Sequence, residues 1–214
     1  MWRKVVRALL WIAAVCGVLV GIVAIFFQTW TLPGDDPQLA ASIEPALSVG
    51  DLVLVTRSSG ASDGALVRCA DPDAPGRFVV GRVIGHTGDD IQFVSGTMLV
   101  NGQTPSTSVA CDPPTVHLRN PATQEDVELG CQLEEFAGTT HPVLRPGPTA
   151  QTAERDVNAK VDPAKVYLVS DDRPLHLDSR DFGQIAAATC QRIAFRLWAV
   201  DGWGDAKKRL TVLW

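Results

Sequence analysis

Twenty consecutive residues, Ala8 to Phe27 (ALLWIAAVCGVLVGIVAIFF), carry no charge and no strongly polar side chain. A helix of that length, at about 1.5 Å per residue, spans about 30 Å, the thickness of a bilayer's hydrocarbon core. A helix in the core of a small domain has no need to be apolar on every face. The run therefore predicts a single membrane-spanning segment over residues 8–30. Arg3, Lys4 and Arg7 precede it, and cations mark the cytoplasmic flank of a span. Residues 1–7 are expected in the cytoplasm and the main domain on the extracytoplasmic side. A cleaved signal peptide is the rival reading. Against it, the run exceeds the ~7–15 apolar residues of a secretory signal, and the segment Gln28 to Pro33 offers no small-x-small cleavage site.

The remaining chain, of 214 residues in all, has room for one sizeable core or two small ones. Residues 31–41 (TLPGDDPQLAA) read as a linker. Short runs rich in Val, Ile and Leu follow, bounded by Gly, Asp, Asn or Pro: 51–57, 64–70, 77–85, 91–94 and 97–103. That pattern predicts strands, with Asn101-Gly102 as a strong turn. Residues 104–160 are polar and Pro-rich and read as an inserted β cap. Strand character returns at 164–169 and 190–200, while the tail, 201–214, carries no clear signal. The fold class is mostly β: a core formed by 42–103 and 161–200, an inserted smaller β subdomain, and one N-terminal transmembrane helix.

The net charge is −5, and no basic patch alternates with aromatics, which argues against a nucleic-acid partner. Cys16 lies in the anchor. Cys69, Cys111, Cys131 and Cys190 lie in the exported part, where disulfides persist. Four cysteines allow three pairings, of which Cys111–Cys131 is favoured because it closes one polar loop. Their spacings match no tetrahedral zinc pattern, and neither metal nor cofactor is expected.

Three stretches carry the chemistry. Ser42-Ile43-Glu44-Pro45-Ala46-Leu47 precedes Gly50-Asp51 and an apolar run. Gly81-Arg82-Val83-Ile84-Gly85-His86-Thr87-Gly88-Asp89 lies mid-chain. Ser170 to Gly183 (SDDRPLHLDSRDFG) follows a strand-like run and is dense in charge. In order and content these resemble the type I signal peptidases, membrane-anchored serine endopeptidases that cut signal peptides from exported proteins. The family's stretches run Ser-Met-x-Pro-Thr-Leu, then Lys-Arg-Val-Ile-Gly-x-Pro-Gly-Asp, then Gly-Asp-Asn-Arg-x-x-Ser-x-Asp-Ser-Arg-x-x-Gly. The resemblance implies a mostly β catalytic core with an inserted β domain. It also implies exported pre-proteins as partners, besides membrane lipid, and exposed Trp or Leu on a catalytic face close to the membrane.

By that resemblance Ser42 is the nucleophile, and Asp171, Asp178, Ser179, Arg180 and Arg82 support the site. Asp178, Arg180 and Arg82 are expected in ion pairs that hold the charged loop rigid, and Asp51 and Asp89 as turn residues. Two departures matter. The family's general base is the Lys of the second stretch, whose burial in an apolar pocket drops its pKa; here that position is Gly81. Lys160, Lys165, Lys207 and Lys208 match no base position. The family's Ser that contacts that Lys is here His176. An imidazole filling the vacated space near Ser42 could serve as the base, since histidine titrates near neutral pH without burial. Asp178 or Asp171 would then orient its second nitrogen. His86, His117 and His141 are expected to be structural or solvated. Some family members place an oxyanion-stabilising Ser hydroxyl where this chain has Ala40, which leaves that task to main-chain N–H groups. The enzyme reading is preferred; the alternative is a catalytically inactive relative that binds exported polypeptides as a chaperone or assembly factor.

Overall fold

The computed structural model describes residues 2–60, 62–147, 156–200, 204 and 208–213. Helix α1, Trp2–Phe26, exposes nearly all its described side chains. It is long and apolar enough to cross a membrane. The helix ends at Phe26, before residue 30: Phe27–Thr31 is strand β1, antiparallel to β2, Leu52–Ser59. Two causes converge there. Arg57 of β2 donates to the carbonyls of Ala24 (3.0 Å) and Phe27 (2.9 Å), satisfying main-chain groups that a helix end leaves open. The residues that follow, Phe27, Thr29, Trp30 and Thr31, favour strand.

Residues 31–41 are likewise not a free linker. Leu32 and Leu39 are buried in a cluster with Leu47, Val53 and Ile193. Helix α2, Pro37–Ser42, begins where the Asp36 carboxylate accepts from the N–H groups of Gln38 and Leu39, with Pro37 in the first turn where its missing N–H costs nothing.

The other strands are β3 (Leu66–Ala70), β4 (Phe78–His86), β5 (Asp90–Val94), β6 (Thr97–Val100), β7 (Ser106–Arg119), β8 (Asp126–Phe136), β9 (Thr139–Pro146), β10 (Val157–Lys160), β11 (Lys165–Val169), β12 (Ile185–Ala186), β13 (Cys190–Trp198) and β14 (Thr211–Val212); a short helix α3, Ser179–Phe182, lies between β11 and β12. The main sheet has the order β1-β2-β13-β3-β4-β11-β12, with β14 on β13. A second sheet is β10-β5-β6 and a third is β7-β8-β9. The third sheet lies within residues 104–160, where an inserted unit is expected. Its last expected segment is reassigned, because β10 pairs with β5 rather than with the cap. Of the tail, Thr211–Val212 adds to the edge of β13.

Strand β4 explains why one run is apolar on both faces. Val79 and Val83 pack in a cluster with Val67, Leu168 and Ile185. Val80 and Ile84, on the opposite face by strand alternation, enter two other clusters. Two disulfides are formed, Cys69–Cys190 between β3 and β13, and Cys111–Cys131 between β7 and β8.

Candidate active site

Most of the charges in the loop after β11 are paired. Arg82 of β4 donates to both oxygens of Asp171, at 2.7 and 3.1 Å. Asp178 caps α3 and holds Arg180, whose Nη2 lies 2.7 Å from its carboxylate; it also accepts from the Ser170 N–H at 2.9 Å. The Ser179 hydroxyl accepts from the Leu168 N–H at 2.9 Å. Arg82, Asp171, Asp178, Ser179 and Arg180 are all buried, and bidentate charge-assisted bonds of this kind fix geometry. Burial opposes the charge of Asp178, but Arg180 and the Ser170 N–H outweigh it and hold the carboxyl below its usual range.

A second buried network ties the loop to the cap. Glu134 of β8 accepts from Arg173 of the loop and, at 2.8 Å, from Arg145 of β9. The ring of buried His141 lies 3.6 Å from Glu134 and 4.0 Å from Asp171. Burial alone would raise the Glu134 pKa, yet Arg173, His141 and Arg145 pull it down to about 2.

Ser42 ends α2 and is fully buried. Its hydroxyl donates to the Leu39 carbonyl at 2.9 Å. Two bonds bring its helix to the charged loop: the Asp172 N–H donates to the Ser42 carbonyl at 3.4 Å, and the Gln38 amide donates to the His176 carbonyl at 3.4 Å. His176 is half-buried, and its Nδ1 lies 2.7 Å from Asp181. Asp181, not Asp178 or Asp171, therefore orients the imidazole, because those two carboxylates are taken by arginines. His176, Asp178 and Asp181 place their polar atoms within 4.8 Å of one another. Arg180 already occupies Asp178, so the group reads as a loop-fixing network rather than an open ligand set.

At Gly81 the neighbouring strand comes close to where a side chain would begin. A Cβ at this position would lie 3.1 Å from the Val169 carbonyl oxygen and 3.4 Å from the Leu168 Cβ. The β11 main chain, which slips register between Tyr167 and Leu168, fills the room at the root of a side chain here. Lys160, Lys165 and Lys208 are described, with Lys165 paired to Asp162; Lys207 lies outside the described residues. His86 pairs with Asp63 at 3.1 Å. Asp51 accepts from the N–H groups of Ser48 and Val200 and from Arg196, and Asp89 from the His86 N–H and Asn101.

Trp198, Val200, Leu210 and Val212 are exposed, and Arg196 and Val200 bond to Ala46 and Asp51 just downstream of Ser42. The family description "Signal peptidase, peptidase S26" matches residues 4–198. The chain belongs to the signal peptidase family. Membership of this family carries a serine-peptidase type of function and substrates that bear signal peptides as the general expectation. No curated protein matches the chain to narrow that role.

Two residues of this candidate site escaped the reading of the sequence. Asp181 has no counterpart in the family stretch, where its position is free. Asp172 stands where the family stretch has Asn, a change from amide to acid.

Proposed function

We propose that this chain is a signal-peptidase-type serine endopeptidase that cleaves signal peptides from exported proteins on the outer side of the membrane, with Ser42 as nucleophile and His176 as its base. One observation carries the reading: the helix that ends in Ser42 is bonded to the loop that bears His176 through both Gln38 and Asp172. With Nδ1 of His176 held by Asp181, Nε2 is the nitrogen left to accept a proton. In the resting site the Ser42 hydroxyl is bonded to the Leu39 carbonyl. Rotation about its χ1 releases that bond, the proton passes to Nε2, and Oγ attacks the scissile carbonyl. The tetrahedral oxygen is met by main-chain N–H groups, since Ala40 brings no hydroxyl. His176 then returns the proton to the leaving amine, and water releases the acyl group. Asp171, Arg82, Asp178, Ser179 and Arg180 hold the loop and take no proton. The outer location is supported by the two disulfides, both in the β domain, which persist in an oxidising compartment.

A second reading is favoured by a specific observation. Ser42 is fully buried and its hydroxyl is already satisfied, as suits a binding relative that has lost turnover. Cleavage of a pre-protein in detergent or lipid, from pH 5 to 9, separates the two. Loss of activity in both Ser42→Ala and His176→Ala is the expected result. Activity retained in His176→Ala but lost in Ser42→Ala removes histidine as the base. Binding of a signal peptide without cleavage at any pH favours the binding relative.

A further inference from the structure

Five carboxyl-bearing residues are buried among the described residues: Asp51, Glu134, Asp171, Asp172 and Asp178. Four are bonded to an arginine: Asp51 to Arg196, Glu134 to Arg145 and Arg173, Asp171 to Arg82, Asp178 to Arg180. Asp172 is the exception. It is fully buried, its Oδ1 accepts from the Leu175 N–H at 2.8 Å, and its Oδ2 has no hydrogen-bond partner. An interior carboxylate without a partner is costly in its charged form. The residue is also at the centre of the proposed site. Its N–H bonds to the Ser42 carbonyl, and its side chain closes the turn, from Asp172 to Leu175, that delivers His176.

We propose that Asp172 is a positioning residue for Ser42 and His176: a buried carboxyl that, once ionised, stabilises the imidazolium formed when His176 takes the Ser42 proton. The proposal rests on the reading of Ser42 and His176 as nucleophile and base. The active form has lost two protons to solvent, one from His176 and one from Asp172. As Oγ bonds to the carbonyl carbon, its proton moves to Nε2, and the new cation interacts with the anions of Asp181, at 2.7 Å from Nδ1, and of Asp172. Three charged groups face Asp172. His176 and Arg180 favour its ionised form, while Glu44, two residues beyond Ser42, opposes it. Burial dominates and lifts its pKa to about 7, against the pull of the Leu175 N–H. The carboxyl therefore changes charge within the range where a histidine base works.

Asp172→Asn tests this, since the amide keeps the turn acceptor and cannot titrate. The full chain in detergent would be assayed for pre-protein cleavage from pH 5 to 9. The unaltered protein should show a log kcat/KM profile whose slope rises above one between about pH 6 and 7, and Asp172→Asn a slope of no more than one with a rate at pH 8 roughly ten-fold lower, the equivalent of one pKa unit of interaction. An Asp172→Asn profile of unchanged shape overturns the proposal if His176→Gln is inactive. Full activity in His176→Gln, or no cleavage by the unaltered protein, sinks the nucleophile–base reading and this role with it. A readout free of activity is the Asp172 carboxyl resonance in isotope-labelled protein. Its midpoint should lie at about 7, move up in His176→Gln and move down in Glu44→Gln. A midpoint in the usual carboxylate range, or one indifferent to His176→Gln, overturns the coupling.

Discussion

Gly81 shows how a single position changes meaning between sequence and structure. Against the family stretch it reads as a lost base and an empty space. In the fold it is a close approach of two strands, with the Val169 carbonyl 3.1 Å from where a Cβ would be. Overpacking of this kind typically costs about 1–3 kcal/mol. Gly81→Ala is therefore expected to unfold at lower denaturant concentration, by about 1–2 kcal/mol, with an unchanged m-value. Stability equal to or above that of the unaltered protein would show that room for a side chain persists there. At this scale the sequence was legible where residue type dictates a role in isolation: arginines and aspartates in numbers that demand pairing. It was not legible where the role depends on which partner arrives first. Arg82 and Arg180 capture Asp171 and Asp178, and that leaves Asp181 for His176. No spacing rule announces such an outcome.

Between residue and molecule stand the elements, and the clearest junction is the one between cap and loop. Glu134 on β8 compensates Arg173 in the loop and Arg145 on β9. Removing one member of a buried pair leaves the other uncompensated, at about 3–5 kcal/mol. Glu134→Gln is expected to lose about that much at pH 7, read by urea unfolding. The pH dependence has a definite sign. The folded pKa of Glu134, about 2, lies below the unfolded value of 4.5, so its contribution is complete above about pH 4.5 and is lost as pH falls toward 2. The gap between the unaltered protein and Glu134→Gln should close over that window. A gap that stays constant between pH 5 and 2.5 would mean that Glu134 is not ionised in the network. The strands themselves were legible, since β2, β3, β4, β11 and β13 are apolar runs punctuated by turn residues. The elements that were missed are those too short for periodicity or adjoining a stronger signal. Helix α2 has six residues, β10 has four, and β1 directly continues the apolar run of α1.

At the scale of the whole molecule, the helix and the β domain are joined without slack. Helix α1 passes directly into β1, which is hydrogen-bonded along β2, and Arg57 caps the junction. No unbonded segment separates α1 from the β domain. The apolar residues Trp198, Val200, Leu210 and Val212 remain exposed on and around β13 and β14. The cysteines divide along the same junction: Cys16 is free and exposed on α1, while the other four are paired in the β domain. Cys69–Cys190 ties strands 121 residues apart in sequence, a loop for which the chain-entropy account gives about 4–5 kcal/mol. That contribution exists only in a compartment that keeps thiols oxidised, so sidedness and stability are linked. In spheroplasts of an expressing bacterium, externally added protease should remove the β domain while the N-terminus stays protected. Thiol labelling of the denatured, unreduced protein should reach Cys16 alone. Protection of the β domain from protease, or four further reactive thiols, would place the domain in the cytoplasm and reverse the orientation read from Arg3, Lys4 and Arg7.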